Sequence, residues 1–382
     1  MTSTLTAEQE MIRLMARDFA RRELEPRASL LGRDGSFPVN VVRKMGELGL
    51  LGMMVPPEYG GAGAEAVSYC LAVQEIAYSC ASTAVTMSVA NLSTEPLLKF
   101  GDDALKKRYL PRLARGDLLG CFALTEPGAG SDPASLQIRA EDRGGHYLVN
   151  GTKVFITHGA YADVINLIAR TGPEKGNRGL SAFVVEKGAR GFSVGRAEEK
   201  MGLRASNTVE LVFEDCVVPA ENLIGRPGQG FTIAMSALDS GRIGIASQAV
   251  GIARACLDEA VLYARQRRQF GRAIGSFQAI QWMIADMATA IEAAHLLTLS
   301  AARKKDQGKS FTKEASMAKL FASEAANRAA YHAVQIHGGY GYTRDFKVER
   351  LYRDARATTI YEGTSEIQRI VIARTLLRDQ QG

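Results

Sequence analysis

The chain has 382 residues, which is too long for one simple core and predicts two or three packed domains. Apolar residues make up 46% and charged residues 23% of the chain, a balance typical of a folded protein and not of a disordered one. Its 47 basic and 41 acidic residues are interleaved, and no basic run alternates with aromatic residues, which argues against nucleic-acid binding.

Cysteine and histidine spacing indicates neither a metal site nor a disulfide framework. The five cysteines are scattered and odd in number, and the five histidines do not cluster. The first residues lack the basic and apolar regions of a secretory signal, and no apolar run is long enough to span a bilayer. We therefore expect a cytoplasmic protein with no metal ligands and no membrane span.

Helical patterns dominate residues 1–120, which predict an N-terminal helical domain. Thr6 and Gln9 have the spacing of a capping box, and an apolar stripe of helical period follows them. The Pro- and Gly-rich stretch at 55–63 predicts a loop. Residues 64–100, rich in Ala, Ser and Val, predict buried helices.

Residues 121–225 change to a pattern of short strands and predict a central β domain. Asn150 and Gly151 stand between two β-prone runs, a combination typical of a hairpin turn. Further strand-like runs follow at 164–169, 180–185 and 209–213.

Long helical periods return over residues 226–382. Apolar residues from Ile280 to Ile291 lie on one face of a helix of about thirty residues, roughly 45 Å long. A second long helical segment covers about 312–335, and long helices of this kind pack as a bundle. The predicted order of domains is therefore α, then β, then α.

Residues 360–369 contain the strongest candidate for chemistry. Ser365 and Gln368 have capping-box spacing, so Glu362 is predicted to precede the last helix on a loop. An aromatic neighbour leaves the carboxylate poorly solvated, and desolvation raises a carboxyl pKa toward the range useful for a general base. Gly363 allows the backbone to approach a ligand closely. A plain surface loop before the helix is the alternative.

The remaining motifs are ambiguous when each is taken singly. The glycine-rich segment 121–132 suits a phosphate, but it matches neither the Rossmann nor the P-loop spacing and also suits a domain boundary. Gly338 and its neighbouring glycine predict an αL helix cap or a close approach to a cofactor. Arginines in 265–271 suit a phosphate or a helix C-terminus. Asp239 and Arg242 have the spacing of an intrahelical ion pair.

Together, in this order and at these separations, the motifs resemble the acyl-CoA dehydrogenase family, and most closely its short-chain, butyryl-CoA-like branch. The resemblance covers nearly the whole chain and is most specific where Thr-Glu-Pro-Gly-Ala-Gly-Ser-Asp at 125–132 is combined with Tyr-Glu-Gly-Thr-Ser-Glu-Ile-Gln-Arg at 361–369. It implies an α+β multidomain fold with an N-terminal helical domain (1–120), a central β-barrel-like domain (121–225) and a C-terminal four-helix bundle (226–382). It also implies a homotetramer that binds FAD.

The resemblance further implies a reaction, in which a short- to medium-chain acyl-CoA is dehydrogenated to a trans-2-enoyl-CoA in β-oxidation. Electrons would pass to electron-transfer flavoprotein. Glu362 matches the family's base, which removes the α-proton of the thioester and whose backbone N–H belongs to the oxyanion hole. The residues that match the family's FAD site are Phe122, Leu124, Thr125, Gly130, Ser131, Phe155, Ile156, Thr157, Arg267, Phe270, Gln278, Gln335, Gly338, Gly339, Thr364 and Glu366. Those that match its substrate site are Ser131, Asp239, Arg242, Tyr361 and Gly363.

Three details refine what the resemblance implies. Phe155 stands where many members have tryptophan, and we expect its flat ring still to shield the flavin. Gly241 occupies the position of the base in isovaleryl and long-chain members, which argues against those branches. Residues 87–93 lack the arginine expected of glutaryl-type members. A small or medium acyl group remains, with a branched one as the alternative.

Two other functions compete with the dehydrogenase. Acyl-CoA oxidases, in which oxygen reaches the reduced flavin, are generally much longer chains. An acyl-CoA-binding protein that kept the fold and lost the chemistry would have no need of Glu362.

Overall fold

The computed structural model describes residues 5–174 and 176–378 of the chain. Its N-terminal part is helical, as predicted, and contains α1 (Ala7–Phe19), α2 (Ala28–Asp34), α3 (Val39–Glu47), α4 (Ala66–Ser79), α5 (Ala81–Phe100) and α6 (Asp103–Arg115). The predicted capping box is confirmed, because the Thr6 hydroxyl accepts from the Gln9 N–H and the Gln9 side chain accepts from the Thr6 N–H. The predicted loop at 55–63 is present around a 3₁₀ turn, Pro57–Tyr59.

Helices α4 and α5 are buried along almost their whole length, which confirms the prediction for residues 64–100. Buried hydrophobic residues from both helices join those of the C-terminal helices in one large core. Many of their residues are Ala, Ser or Thr, and such small side chains let neighbouring helices pack closely.

The middle of the chain is a β domain made of β1 (Gly120–Ala123), β2 (Arg139–Asp142), β3 (His146–Thr157), β4 (Val164–Arg170), β5 (Leu180–Glu186), β6 (Phe192–Ala197), β7 (Thr208–Pro219) and β8 (Leu223–Ile224). These strands form one sheet in the order β6-β7-β3-β2-β4-β5-β8, and β1 pairs in parallel with β4. The runs predicted at 164–169, 180–185 and 209–213 are confirmed as β4, β5 and parts of β7.

Both faces of this sheet are buried at β4. Ile165 and Leu167 pack among the other strands in a core internal to the β domain. Val164 and Ile168 point the opposite way, into a core that α5, α6 and the N-terminal part of the next helix share. Because successive strand residues face opposite sides, this one strand joins the β domain to the helices.

The hairpin predicted at Asn150–Gly151 is wrong. Strand β3 runs through both residues, and its pairing with β7 shifts register between Val149 and Gly151. Gly151 has φ 141°, and a Cβ there would lie 2.8 Å from Ile138. The glycine therefore permits a bulge and a close contact inside a strand, and the real turn, at 143–145, joins β2 to β3.

In the residues that the structure describes, the C-terminal part contains three long helices and two shorter ones: α7 (Gly230–Gln266), α8 (Gln278–Asp306), α9 (Thr312–His337), α10 (Lys347–Arg356) and α11 (Ser365–Arg378). A small hairpin, β9 (Arg268–Gln269) with β10 (Arg272–Ala273), lies between α7 and α8. The predicted helix of about thirty residues around Ile280–Ile291 and the one predicted at about 312–335 are confirmed as α8 and α9. Met287 and Ile291 are buried on the predicted apolar face of α8.

Two predicted helix ends differ in detail from the structure. The cap of α11 is Thr364, whose hydroxyl accepts from the Ile367 N–H at 3.4 Å, while the Ser365 hydroxyl is buried without a partner in the described chain. The Gln368 side chain points back to backbone carbonyls, so the predicted capping box is wrong. Gly338 ends α9 at φ 60°, ψ −138°, which is a glycine-dependent conformation but not the predicted αL one.

Membrane-spanning helices and clusters of metal ligands are both absent from residues 5–174 and 176–378. None of the helices in this part of the chain has the length and apolarity to cross a membrane. Within it, no group of three or more His, Cys, Asp or Glu side chains is arranged to hold a metal ion. All five cysteines are buried as free thiols.

Candidate active site

Glu362 lies on the loop between α10 and α11, in a left-handed conformation with φ 54°. Few non-glycine residues adopt this conformation, because it costs roughly 1–3 kcal/mol and persists only where neighbours enforce it. Three hydrogen bonds to the loop carbonyls enforce it here. Lys319 Nζ donates to Gly363 O at 2.7 Å, and Gln368 Nε2 donates to Gly363 O at 2.9 Å and to Glu362 O at 3.2 Å.

The Glu362 carboxylate lies directly over Gly241 of α7. A Cβ added to Gly241 would be 1.9 Å from Glu362 Oε2, so any other residue would collide with the carboxylate. Gly241 therefore leaves the space that the carboxylate occupies, and the helix and the loop form one site.

Burial raises the pKa of Glu362 to about 7, against the opposing effect of the positive charges of Arg242 and Lys319. The residue as a whole is half-buried, but its Oε2 atom is buried and has no hydrogen-bond partner in the described part of the chain. A carboxylate with a free oxygen and a pKa near neutrality is suited to accept a proton from a ligand.

Tyr361 anchors the other side of the loop. Its hydroxyl donates to Gln248 Oε1 on α7, and Gln248 Nε2 donates to the Ala81 carbonyl at 2.8 Å. Burial raises the pKa of Tyr361 well above its usual value, so this phenol stays protonated and acts as a donor. The chain of contacts ties the loop to α5 and α7.

The predicted ion pair of Asp239 and Arg242 is confirmed. The two residues lie on either side of Gly241, within one turn of α7. Arg242 Nη1 donates to Asp239 Oδ1 at 2.6 Å, and Thr312 Oγ1 donates to Asp239 Oδ2 at 2.5 Å. Arg242 is 4% exposed, and burial lowers its pKa. Because Arg242 acts electrostatically on Glu362, this pair belongs to the same site and is more than a surface ion pair.

The structure brings the segments around Thr125 and Phe155 together. Val154 N donates to the Thr125 carbonyl at 2.9 Å, and the buried Lys153 ammonium donates to Leu124 O at 2.7 Å and to Glu126 Oε1 at 2.8 Å. Within these segments Leu124 and Ile156 are buried, Gly130 and Ser131 are exposed, and Phe122, Thr125 and Thr157 are half-buried. The surface they form includes a glycine-rich turn beside an aromatic ring.

Phe155 presents that ring to the outside. Its side chain is 63% exposed and its backbone is left-handed, with φ 58°. An exposed apolar ring held in a strained conformation fits a site for a flat cofactor such as a flavin, which would cover it.

A third group of predicted site residues lies where α7 and α9 end. The Arg267 guanidinium lies 5.5 Å from the centre of the Tyr340 ring, so the arginine-rich loop and the turn after Gly338 adjoin. Phe270 is 93% exposed at φ 51°. The other members of this group, all exposed, are Gln278, Gln335, Gly338 and Gly339.

This third group is distant from the carboxylate of the same chain. Gln335 and Lys319 lie on the same helix, α9, sixteen residues apart, which corresponds to about 24 Å along its axis. Lys319 contacts the Glu362 loop, whereas Gln335 is near the opposite end.

Three family models match the chain: the acyl-CoA dehydrogenase N-terminal domain over residues 6–117, the middle domain over 121–216 and the C-terminal domain over 228–377. The chain belongs to the acyl-CoA dehydrogenase family. Members of this family are flavoprotein oxidoreductases of fatty acid β-oxidation, and the sequence-based recognition is confirmed.

Individual relatives agree with this membership. A short-chain-specific acyl-CoA dehydrogenase of Clostridium acetobutylicum is 47% identical over 379 residues, covering 99% of this chain and 100% of that protein. Butyryl-CoA dehydrogenase from Megasphaera elsdenii superposes with a TM-score of 0.97 at 44% identity, covering 99% and 100% of the two chains. A chain in the structure described as electron transferring flavoprotein of Acidaminococcus fermentans gives 0.98 at 47% identity, with the same coverage.

In this acyl-CoA dehydrogenase, sequence reasoning missed Lys319 and assigned the wrong partner to Gln368. Both contact the Glu362 loop from buried positions. One signal was available for Lys319, a lone charged residue among Ala and Ser on the inner face of a predicted helix. No sequence signal indicated which backbone carbonyls these side chains bind.

Proposed function

We propose that this enzyme is an FAD-dependent dehydrogenase of short- to medium-chain acyl-CoA thioesters, with Glu362 as the base. The observation that carries the proposal is the unpartnered Glu362 Oε2, held over Gly241 with a pKa of about 7. The Clostridium and Megasphaera relatives, named for short-chain and butyryl-CoA substrates, support the substrate class.

The α-proton of a thioester is too weakly acidic for an ordinary carboxylate in water. Glu362 is desolvated, which strengthens it as a base, and its carboxylate is fixed in place by the loop. The Glu362 N–H has no acceptor among the residues that the structure describes, so it is free to donate to the enolate oxygen that develops when the proton leaves. Bound FAD would supply the hydride acceptor for the β-hydrogen, and the product would be a trans-2-enoyl-CoA.

The cofactor would be held by two regions of the chain. The turn with Gly130 and Ser131 and the strand end with Phe155, Ile156 and Thr157 would surround the flavin, together with Phe122, Leu124, Thr125, Thr364 and Glu366. The Arg267 loop and the Gln335–Gly339 segment, with Phe270 and Gln278, would hold the adenine-diphosphate half. Arg267 supplies a guanidinium suited to phosphate oxygens.

These two regions would belong to different subunits of a homotetramer. Much of α9 separates the second region from Glu362 of the same chain. The second region of a cofactor site at Glu362 would therefore come from a neighbouring copy. The large exposed rings of Phe270 and Trp282 at this end are consistent with a covered surface.

Electron-transfer flavoprotein is the proposed acceptor of the electrons, supported by the Acidaminococcus fermentans structure. We place the enzyme in the cytoplasm, as the sequence predicts. An oxidase would instead release hydrogen peroxide on turnover, and a binding protein without chemistry would leave bound flavin unbleached by acyl-CoA.

The acyl group would lie along α7 beyond Gly241. One turn further, a Cβ at Gly244 would lie 2.5 Å from the Tyr69 hydroxyl and 3.3 Å from Ser88 Oγ. These buried hydroxyls would limit the depth available to an apolar chain, because burying a hydroxyl against methylenes without a hydrogen bond is unfavourable. Asp239, Arg242, Ser131, Tyr361 and Gly363 complete the proposed substrate site.

The test of the base is Glu362→Gln, which keeps the size of the side chain but cannot accept the proton. We expect a folded, yellow protein whose acyl-CoA turnover falls by several orders of magnitude, at about 1.4 kcal/mol per tenfold. Glu58→Gln, on the exposed loop at 55–63, is the matched control and should leave turnover unchanged. Substantial turnover by Glu362→Gln would show that another group is the base.

A further inference from the structure

Lys319 is a buried cation that bonds to a neutral group. Its side chain is 0% exposed on α9, and its ammonium donates to the Gly363 carbonyl at 2.7 Å. Within the described residues no carboxylate oxygen lies within ion-pairing distance, 4.0 Å, of this ammonium. Burial lowers the pKa of Lys319 to about 8, so the ammonium is charged at neutral pH and loses its charge in mildly alkaline solution. A buried, unpaired charge is costly to a folded protein, and this one lies directly beside the Glu362 loop.

The charged and titratable groups around the Glu362 loop come from several helices. Arg242 on α7 is the other cation, but Asp239 already pairs with it at 2.6 Å. Tyr69 on α4 and Tyr361 on the loop interact electrostatically with Glu362 and are protonated phenols. The other carboxylates that act on Lys319 are Glu324 and Glu366. Among the described residues, Lys319 is therefore the cation near Glu362 whose charge no salt bridge neutralises.

Gln368 provides a neutral counterpart to Lys319. Its Nε2 donates to the same Gly363 carbonyl at 2.9 Å and also to Glu362 O at 3.2 Å. Both side chains are fully buried, and both restrain the backbone of the left-handed loop. They differ in that only Lys319 carries a charge.

We propose that Lys319 is a positioning residue with two effects on the reaction. Its hydrogen bond to Gly363 O holds the loop so that the Glu362 carboxylate stays over Gly241. Its positive charge at neutral pH stabilises the ionised form of Glu362, so that the base is ready there in spite of its burial. This inference rests on the proposed role of Glu362 as the base.

The sign of the electrostatic effect follows from the charges. Removing a cation near a carboxylate favours the protonated acid and raises its pKa. The rising limb of kcat/KM against pH, which reports ionisation of the base in the free enzyme, should then move to higher pH. In the wild type this limb is expected near the Glu362 pKa of about 7.

The experiment compares two methionine variants of the full-length holoenzyme with butyryl-CoA as substrate and a dye acceptor. Lys319→Met removes a hydrogen bond and a charge, whereas Gln368→Met removes hydrogen bonds alone. Both should lower kcat, because both loosen the loop. Only Lys319→Met should shift the rising limb, by roughly one pH unit, which is roughly a tenfold loss of kcat/KM at low pH beyond any change at high pH.

Charge-preserving and charge-deleting variants keep the inference testable if Lys319→Met does not fold. Lys319→Arg retains the cation and should keep the rising limb at its wild-type position. Lys319→Gln retains a donor without the charge and should shift the limb as Lys319→Met does. The inference would be overturned if either neutral Lys319 variant kept the rising limb at its wild-type pH. An equal shift of the limb in Gln368→Met would also overturn it.

The test of Lys319 can be distinguished from the test of Glu362 as the base. If Glu362→Gln keeps substantial turnover, the base assignment fails and the inference fails with it. If Glu362→Gln is inactive but the neutral Lys319 variants keep the wild-type pH profile, only the role of Lys319 is refuted.

Discussion

At the scale of single residues, the strained backbone of Glu362 and the lack of a Cβ at Gly241 determine where the Glu362 carboxylate lies. Glu362, Phe155 and Phe270 are three of six non-glycine residues with positive φ in the described chain, and all three were predicted site residues. Such conformations persist where surrounding contacts impose them, and they cluster at functional sites. The agreement between predicted sites and strained residues supports the proposed roles of these side chains.

A single substitution tests the contact between Gly241 and Glu362. Gly241→Ala would place a methyl group about where the carboxylate now lies, so Glu362 must move. We expect kcat/KM to fall roughly 100-fold, as for other displacements of about 1 Å in reacting groups. The midpoint of thermal unfolding should change little, because the gain of about 1 kcal/mol from alanine in a helix offsets the cost of moving the carboxylate.

Gly145→Ala is the matched control, since a Cβ at Gly145 meets no other atom within 4 Å. It should leave kcat/KM at the wild-type value. An active Gly241→Ala enzyme would mean that the carboxylate does not depend on this space.

At the scale of elements, a helix of the C-terminal part caps a helix of the N-terminal part. Helix α4 has no capping side chain of its own, and Asp306 at the end of α8 supplies one. Its carboxylate accepts from the Ala66 N–H at 2.6 Å and the Val67 N–H at 3.2 Å. This cap joins residues 240 positions apart in the chain and fixes α4 against the bundle.

Asp306→Ala should therefore destabilise the protein although Asp306 lies at a helix end. The expected loss in free energy of unfolding is about 1 kcal/mol, typical for removal of an N-cap side chain. Asp286→Ala, at an exposed position of the same helix, should cost much less. Chemical denaturation of both variants measures the difference, and equal losses would argue against the cap.

For the whole molecule, cofactor retention and assembly should be coupled. Arg267→Ala removes a charge-assisted contact to phosphate that we propose crosses the subunit interface. Dilution should release FAD from this variant more readily than from the wild type, and the loss should accompany dissociation. Flavin fluorescence and light scattering measure the two processes, and a monomer that retains FAD as tightly as wild type would contradict a shared site.

Acyl-chain length is also decided by the whole fold, because α4, α5 and α7 together bound the proposed pocket. Each methylene buried in an apolar pocket contributes about 0.8 kcal/mol until the floor is reached. Beyond the floor, overpacking costs roughly 1–3 kcal/mol. The specificity constant should therefore rise from propionyl-CoA to a maximum at butyryl- or hexanoyl-CoA and then fall steeply.

A panel of straight and branched acyl-CoA substrates with a dye acceptor measures this profile. A maximum at dodecanoyl-CoA or longer would refute the short- to medium-chain assignment. A preference for isobutyryl- or 2-methylbutyryl-CoA over butyryl-CoA would indicate a branched-chain role with the same chemistry.

The sequence by itself determined the order of domains, the long helices and the family. Periodicity is a local property, so α8, α9 and the buried helices at 64–100 were predictable from it. Glu362 was also a candidate base from its neighbours alone, since an aromatic residue and a glycine beside a helix start are visible in the chain. The motif pair at 125–132 and 361–369 identified the family because both halves are contiguous stretches.

Only the tertiary structure decided how distant residues meet. Asn150–Gly151 has the local preference for a turn, but pairing with β7 and the close contact with Ile138 keep it within a strand. Gln368 has the spacing of a capping partner, yet it binds the Glu362 and Gly363 carbonyls because the loop folds back over α11. Lys319 reaches Gly363 from 44 residues away. Such contacts depend on packing between elements, which no local pattern encodes.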